Sequence, residues 1–428
     1  MKLLDGRVRW VLIFWVFLTS AVAYLDRVNI SIAGQAVKRA YHLSDIQLGW
    51  VFSAFVIGYA LFQAPGGRLA DRFGPRRVIT LGVLWWGVFT ALTASVPPTV
   101  SFALAVLIGV RFLLGLGEAV VYPASNRLVA SWIPSAERGI SNGFIFAGVG
   151  AGAGVTPPLI TFILLHWGWQ WSFYISALIG FAVGAVWYLL ARDSPREHPW
   201  IGEAEALHIE RGLPSPLQDL QARNTLPWGV ILSSRSILAM ALSYFCYGYV
   251  AWIFFTWFFT YLNQTRGLNL KASAFYSMLP FLGMALCSPL GGYLSDLIAR
   301  RYGKRTGRCG VAACGMALAA VFIALATQVR EAQLAAVVLA GGAGALYLSQ
   351  SAFWAVTSDI AGASSGSASG LVNMANQTAG ALTAVLFPVI RDHFGGSVAP
   401  FMAAAGLCAV GALAWAFLDP SATIQRHV

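Results

Sequence analysis

The chain has 428 residues, of which 58% are hydrophobic and 11% are charged, with a formal net charge of +11. Its mean hydropathy is +0.68. Soluble globular proteins average about 45–50% apolar and about 25% charged residues, so these values exclude a soluble enzyme. The 16 Trp and 44 Gly residues are typical of a bundle of membrane-spanning helices in a lipid bilayer.

A helix needs about 20 mainly apolar residues to cross about 30 Å of hydrocarbon. None of the apolar runs alternates with period two, so we expect helices rather than a barrel. The polar stretch 192–235 separates six runs from six more. We therefore predict an all-α membrane protein of twelve transmembrane helices, with an N-terminal six-helix bundle (1–191), a cytoplasmic linker (192–235) and a C-terminal six-helix bundle (236–428). The runs lie at 10–33, 46–70, 77–96, 100–125, 138–164, 171–191, 236–262, 272–299, 309–327, 333–359, 366–390 and 396–418.

The basic residues follow this topology. With the first terminus inside, 20 of the 28 Lys and Arg residues fall in inside segments and six fall outside. The remaining two, Arg27 and Arg111, lie within runs. This bias places both termini in the cytoplasm and predicts a multi-pass protein of the cell inner (plasma) membrane. Because the positive charge is accounted for by topology, we predict no nucleic-acid partner.

The two halves repeat a signature. The second run ends QAPGGRLADRFGPRR (63–77) and the eighth ends CSPLGGYLSDLIARRYGKR (287–305). Each holds a Gly pair, an Asp four residues after the second Gly, and a basic cluster. A duplicated six-helix unit predicts two pseudo-symmetric bundles, the architecture of alternating-access transporters.

Three segments carry a family resemblance. GRLADRFGPRR (67–77) resembles the loop signature between the second and third helices of the major facilitator superfamily, and RFLLGLGEA (111–119) resembles its Arg-and-Gly motif. YLDRVNIS (24–31) narrows the resemblance to the anion:cation symporter family, which includes bacterial galactonate, glucarate and hexuronate carriers and the animal sialic acid and phosphate carriers. The resemblance covers nearly the whole chain and implies transport of an organic anion.

Arg27 lies in the middle of the first run, where an arginine costs at least about 2.5–3.5 kcal/mol to insert. It shares a helical face with Ser20, Tyr24 and Ser31, so this polar stripe points into the bundle. We predict that its guanidinium binds a substrate carboxylate through a bidentate pair, which the resemblance also favours. The alternative is a structural ion pair with Asp26 or Glu118.

Two carboxylates are candidates for proton coupling. Asp26 lies about 100° round the helix from Arg27 and does not pair closely with it. Burial favours the protonated form of such a carboxylate, so we predict that Asp26 exchanges a proton; the alternative is a permanently ionised partner of a neighbouring helix. The resemblance assigns a coupled proton to Glu118, for which a contact with Arg111 is the alternative. Arg111 either modulates these protonations or extends to the membrane surface.

Polar and aromatic side chains form further stripes. Resemblance favours substrate contacts for Arg27, Tyr59, Ser351, Trp354 and Asn373; interhelical hydrogen bonding is the alternative for each. Val149 and Phe353 stand where galactonate carriers place polar groups, which allows a less hydroxylated or aromatic acid. The neighbouring members of these stripes are Gln63, Tyr347, Ser358, Asn376 and Gln377.

Asp71 lies at a helix end, where a carboxylate can bond to the N-terminus of a neighbouring helix. We predict a cytoplasmic gate latch that breaks when the gate opens, with Asp296 doing the same in the second half. For the arginines of this motif, the alternative is that their positive charge only sets the membrane topology. The gate motif comprises Gly67, Asp71, Arg72, Gly74, Arg76, Arg77 and Asp296.

The sequence therefore predicts a proton-coupled symporter that imports an organic carboxylate, a sugar acid, by alternating access, with the lipid bilayer and the proton as its other partners. We expect a functional monomer with no catalytic residue, cofactor or metal, because no metal-ligand spacing or nucleophile motif occurs. A channel is disfavoured by the duplicated gate motifs. Sodium-coupled or exchange transport of an aromatic or short-chain organic acid stays open as the alternative.

Overall fold

The computed structural model describes residues 6–43, 45–99, 102–213, 226–258, 261–394, 396 and 398–421. These residues form helices and connecting turns and no strand. Nine stretches among them are long and apolar enough to cross a membrane. The helices before the linker are α1 (Val8–Ala40), α2 (Asp45–Phe73), α3 (Pro75–Ser95), α4 (Ala103–Glu118), α5 (Val121–Trp132), α6 (Arg138–Trp167) and α7 (Trp169–Leu190).

The linker carries two short helices and is followed by the second set of long ones. Two π-helical turns, Tyr261–Thr265 and Arg305–Gly310, lie between helices of this second set. The helices are α8 (Glu203–Gly212), α9 (Trp228–Ser233), α10 (Arg235–Thr256), α11 (Leu270–Tyr302), α12 (Val311–Gln328), α13 (Ala332–Leu348), α14 (Gln350–Ala361), α15 (Ser365–His393) and α16 (Val398–Ala414).

Two of the predicted spans are not continuous helices. The run 100–125 is divided between α4 and α5, and Pro123 in the first turn of α5 lacks the N–H that a continuous helix would need. The run 333–359 is divided between α13 and α14, where the Ser349 N–H and hydroxyl both donate to Leu346 O, at 3.1 and 2.5 Å. With each pair taken as one span, twelve spans lie among the described residues; positions 100, 101, 259, 260 and 397 of the predicted runs lie outside the described residues.

Helix α6 is held closely between α1 and α11 by its glycines. A Cβ on Gly148 or Gly152 would overlap the backbone of α1, and a Cβ on Gly143 or Gly150 would lie 2.6 Å from a carbonyl oxygen of α11. Small residues allow this approach of helix backbones. Glycine also lets α2 and α15 approach closely, because a Cβ on Gly370 would overlap the Gln63 carbonyl oxygen. Two helix pairs thus join the segments before and after the linker.

The linker is fastened to the first helix. Glu205 of α8 is buried and accepts hydrogen bonds from the backbone N–H groups of Val8 and Arg9, both at 3.1 Å. A carboxylate at a helix N-terminus satisfies free N–H groups and complements the helix dipole. Arg9 also pairs with Glu137, at 3.0 Å. The end of the bundle that carries α8 is called the linker end below.

Gly74 makes the tight turn between α2 and α3 at the linker end. Its φ of 85° lies in the region that favours glycine, and a Cβ there would meet the carboxylate of Asp193. Asp193 in turn accepts a hydrogen bond from the Arg76 N–H at 2.8 Å, so it caps α3 as the helix starts.

Candidate transport site

A central cavity lies between the two sets of long helices. The cavity is narrow, with a volume of about 30 Å³. Its wall is aromatic, with carboxamides on the side formed by α14 and α15. The lining residues are Tyr24, Tyr59, Tyr122, Phe146, Val149, Tyr244, Tyr247, Ala251, Trp252, Phe255, Tyr347, Gln350, Asn373, Asn376 and Gln377.

Arg27 and Glu118 form a buried ion pair directly behind this wall. Arg27 Nε donates to Glu118 Oε1 at 2.6 Å, and the two side chains are 7% and 1% exposed. Within the described residues, Arg27 Nη2 and Glu118 Oε2 have no hydrogen-bond partner. The pair joins α1 to the end of α4, and each partner keeps one polar atom available to a ligand or a proton.

Aromatic rings cover the Arg27 guanidinium. Its Cζ lies 4.1 Å from the ring centre of Tyr59, 4.7 Å from Tyr24 and 5.5 Å from Phe55. Cation–π contacts of this kind stabilise a desolvated guanidinium. Tyr24 and Tyr59 line the cavity themselves, so they stand between the cavity and the cation.

Asp26 faces a different set of groups from Arg27, as the helix geometry predicts. Its Oδ2 accepts from the Thr90 hydroxyl at 2.9 Å, whereas Oδ1 has no partner among the described residues. One turn along α1, Asn29 bonds to Ser172 and Ser176 of α7, at 2.8 and 3.3 Å. A polar track therefore runs between α1, α3 and α7, behind the cavity wall.

Arg111 is 3% exposed and packs over the Phe55 ring, with Cζ 5.0 Å from its centre. This burial argues against the alternative in which its side chain extends to the membrane surface. The guanidinium groups of Arg27 and Arg111 thus both lie over the Phe55 ring. Neither arginine is among the residues that line the cavity.

The predicted substrate contacts after the linker fall into two groups. One residue lines the cavity, and the others are packed behind its wall. Asn373 lines the cavity and donates from Nδ2 to Gln63 Oε1 at 2.7 Å. Trp354 Nε1 donates to the Tyr244 hydroxyl at 3.2 Å, behind the wall. Ser351 is fully buried, and its hydroxyl has no hydrogen-bond partner in the described part of the chain.

The two positions at which this chain departs from galactonate carriers have different surroundings in the structure. Val149 lines the cavity. Phe353 instead packs among aromatic rings, 4.4 Å from the ring centre of Tyr244 and 4.8 Å from that of Trp415. The apolar residue at position 353 is therefore part of the core rather than of the cavity wall.

Asp71 caps α15 at the linker end. Its carboxylate accepts from the N–H groups of Gly366 and Ser367, at 3.0 and 2.8 Å, and from the Ser367 hydroxyl at 2.6 Å. Gly67 lies against Gly366, where a Cβ would overlap the carbonyl oxygen. Arg127 Nε is 3.9 Å from Asp71 Oδ1. These contacts are the helix-end bonds expected of a latch.

Asp296 forms the matching arrangement with α6. It accepts from the N–H groups of Gly139 and Ile140, at 3.0 and 2.7 Å, and pairs with Arg308. The two aspartates of the repeated signature thus bond to helix N-termini on opposite sides of the linker. Both sets of contacts join helices from the two sides of the linker at the linker end.

The arginines of the gate motif take other roles. Arg76 Nε donates to Tyr188 O at 3.0 Å, and its guanidinium covers the Tyr188 ring at 4.3 Å. Arg72 and Arg77 are exposed. No hydrogen bond or ion pair is seen between these three arginines and Asp71 within the described ranges, so the carboxylate acts mainly on α15.

One buried ion pair that joins the two sets of helices was not predicted from the sequence. Arg138 at the start of α6 pairs with Asp359 of α14 at 2.9 Å, and both are buried. Arg308 donates to Ser135 O at 2.7 Å. Arg138 and Arg308 look like topology-setting charges in the sequence; the signal available was Asp359, a carboxylate at the end of the predicted run 333–359 with no basic residue beside it in the sequence.

Tyr244 and Tyr247 of α10 were also missed as wall residues. They recur at helical spacing in YFCYGYV (244–250), a signal that fits core packing equally well. The Tyr244 hydroxyl accepts from Gln350 Nε2 at 2.9 Å.

Among the described residues, no group of three or more His, Cys, Asp or Glu side chains could hold a metal ion.

The sequence profile of the Major Facilitator Superfamily matches residues 16–384 of this chain. This chain belongs to the major facilitator superfamily. It is therefore a multi-pass membrane transporter and not an enzyme.

Similar proteins agree with this membership. The chain is 34% identical over 405 residues to a probable sulfoacetate transporter of Cupriavidus necator, covering 94% of this chain and 92% of that one. It is 29% identical over 410 residues to a hexuronate transporter of Bacillus subtilis, covering 94% and 92%. The solved structure of the proton:xylose symporter XylE superposes with a TM-score of 0.78 at 17% identity, covering 97% of each chain; this likeness shows the fold.

Proposed function

We propose that this transporter imports an organic carboxylate, a sugar acid, together with a proton. The observation that carries the proposal is the 2.6 Å ion pair between Arg27 and Glu118 beside the cavity. While Glu118 is ionised, it occupies the guanidinium. A proton on Glu118 would release Arg27 to bind the substrate carboxylate, so proton and anion would favour the same state.

Asp26 supplies a second candidate proton site in this proposal. Its free Oδ1 and its bond to Thr90 leave it able to take a proton without disturbing the Arg27–Glu118 pair. Arg111 is close enough to interact electrostatically with both carboxylates and is proposed to modulate their protonation. Tyr59 and Asn373, which line the cavity, are proposed to contact the substrate, with Trp354 and Ser351 supporting the wall.

Alternating access is proposed to occur by rocking of the bundle 1–191 against the bundle 236–428. Asp71 and Asp296 would release the N-termini of α15 and α6 as the linker end opens. That end is proposed to face the cytoplasm, with both termini, in the inner (plasma) membrane. One chain holds both bundles and the whole cavity, so the monomer is proposed as the functional unit.

The names of the relatives support an anionic cargo, since sulfoacetate and hexuronate are both organic acid anions. Sodium coupling or exchange is the second candidate. The aromatic wall, with Trp252, Phe146 and Phe255 beside the tyrosines, favours an aromatic or short-chain acid in that case.

Transport by purified protein in liposomes tests the proposal, in sodium-free buffer with an inward proton gradient. The panel holds aldonates, aldarates, hexuronates, tartrate and aromatic acids. We expect one acid to accumulate in response to the gradient. Arg27→Ala should abolish uptake, and Glu118→Gln should retain binding but lose the response to the gradient.

The exposed Glu331→Gln is the matched control and should transport as the parent does. Uptake that needs sodium or an internal counter-substrate would favour the second candidate. The absence of both binding and uptake for every acid would overturn the proposed substrate class.

A further inference from the structure

We infer that the transported acid carries one negative charge and a neutral, hydrogen-bonding far end, so the site discriminates against dianions. This inference rests on the proposed function and names the substrate class within it. It separates this chain from a carrier of sulfoacetate, a dianion, although a relative bears that name.

The distribution of charge around the cavity is the first observation. Among the described residues that line it, none is Lys, Arg, His, Asp or Glu. The nearest charges are Arg27 and Glu118, behind the rings of Tyr24 and Tyr59. All the cationic character available to a ligand therefore lies at one end, on the side of α1.

The second observation is the part of the wall formed by α14 and α15, which follow the linker, whereas Arg27 lies on α1 before it. Four carboxamides face the cavity there, from Gln350, Asn373, Asn376 and Gln377. Gln350 Oε1 is buried and has no hydrogen-bond partner in the described part of the chain. Buried carboxamides gain from ligand hydroxyl or carbonyl groups, and none supplies a countercharge.

The charge balance follows from these two walls. With Glu118 protonated, Arg27 contributes one positive charge, which one carboxylate neutralises. A second anionic group at the carboxamide end would be buried without a cation, and a buried charge without a partner is strongly disfavoured. Arg111 does not relieve this, because the ring that it covers, Phe55, is not a lining residue, whereas Tyr24 and Tyr59, which cover Arg27, both line the cavity.

Matched pairs of acids test the inference on purified full-length protein. Gluconate and glucarate share a six-carbon chain, and glycerate and tartronate share a three-carbon hydroxy acid; in each pair a terminal CH2OH group of the first member is a second carboxylate in the other. Dissociation constants are measured by calorimetry near pH 7, where all the acid groups are ionised. We expect the monoanion of at least one pair to bind about tenfold or more tightly than its dianion, which corresponds to about 1.4 kcal/mol or more.

A charge placed on the carboxamide wall gives the converse test. Gln377→Lys adds a cation to this part of the wall, and Gln377→Met is its uncharged control of similar length. We expect the lysine variant to bind the dianion more tightly, relative to the monoanion, by about tenfold than the parent protein does. The methionine variant should show no such change in relative affinity. Asn376→Lys repeats the test if the first variant does not fold.

The outcomes distinguish failure of the monoanion preference from failure of the proposed function. A dianion that binds as well as or better than its monoanion overturns this inference and leaves proton-coupled import of an acid standing. Failure of both pairs to bind, together with failure of the whole panel in the liposome assay, overturns the proposed function and this inference with it.

Discussion

Asp71 and Ser367 join α2 to α15 through two hydrogen bonds, from the Ser367 N–H at 2.8 Å and from its hydroxyl at 2.6 Å. The carboxylate thereby satisfies a free N–H group and faces the positive end of the α15 dipole. These helices lie on opposite sides of the linker in sequence, so in the proposed alternating-access cycle the bonds break when the linker end opens.

The first prediction concerns this latch. Asp71→Asn keeps the shape but loses the charge and one accepting oxygen, which should remove about 1–2 kcal/mol from the closed state. The open population should then rise by about 5–30-fold. The measurement is the maleimide labelling rate of Ala361→Cys, a buried site at the end of α14, in a background without the native cysteines.

Asp392→Asn is the control, because Asp392 is exposed and pairs with its neighbour Arg391. It should label at the parent rate. Equal labelling of the Asp71→Asn protein and the parent would show that this carboxylate does not hold the linker end closed.

The second prediction concerns the glycine beneath the latch. Gly67→Ala would drive a Cβ into the carbonyl oxygen of Gly366, and overpacking of this kind costs about 1–3 kcal/mol. The α2–α15 contact should loosen, with a lower thermal unfolding temperature in detergent. Gly109→Ala is the matched control: a Cβ there has nothing within 4 Å, and alanine is the better helix former. Equal unfolding temperatures for the two variants would contradict the prediction.

The third prediction separates the ring of Tyr59 from its hydroxyl. Tyr59→Phe keeps the ring 4.1 Å from Arg27 but removes a hydroxyl at the cavity wall, so substrate affinity should fall by about 2–10-fold. Tyr59→Ala also removes the cation–π contact and should bind more weakly still. Binding isotherms of the two variants check the order. Phe and Ala variants of equal affinity would argue against a role for the ring.

The fourth prediction concerns pH and the linker. Half-burial opposes ionisation of Glu137, but hydrogen bonds from Arg9 and His208 prevail and hold its pKa below the ordinary value of 4.5. A group whose pKa is depressed by folding stabilises the fold above its unfolded pKa, and that stability is lost as pH falls through the folded value. Glu137→Gln should therefore lower the unfolding temperature most near pH 7, and the difference from the parent should shrink below about pH 4.

Glu203→Gln serves as the control for this titration. Glu203 lies on α8 near the same network, but it is exposed and pairs with Arg196 in water, where an ion pair contributes little. Its unfolding temperature should follow the parent at every pH. A Glu137→Gln deficit that stays constant down to about pH 3 would assign the effect to packing rather than to charge.

Prediction from sequence succeeded where the information is local. Apolar runs of about 20 residues mark spans because backbone groups in lipid must bond within their own helix. The expectation that Asp71 bonds to a helix N-terminus was likewise met, since the residue type and its place at a helix end limit its partners. The breaks near Pro123 and Ser349 were missed because both lie inside apolar runs, where hydropathy does not report a turn.

Pairings between helices were harder to predict. Arg27 and Glu118 are 91 residues apart, and Arg138 and Asp359 are 221 apart. Helical spacing gives the face on which each side chain lies, but it does not give the rotation or depth of the partner helix. The ion pair between Arg27 and Glu118 therefore stood only as an alternative until the packing was known.

By itself, the sequence determined that the chain crosses a membrane many times, that its halves are duplicated, and which buried charges require partners. Each of these follows from composition, run length or repetition, which are properties of the chain before it folds. The tertiary structure decided which charges meet, that Tyr24 and Tyr59 cover Arg27, and that the cavity wall formed by α14 and α15 carries carboxamides without a cation. Those features depend on how glycine-rich helices such as α6 dock against their neighbours, because close packing fixes the distances between side chains far apart in sequence.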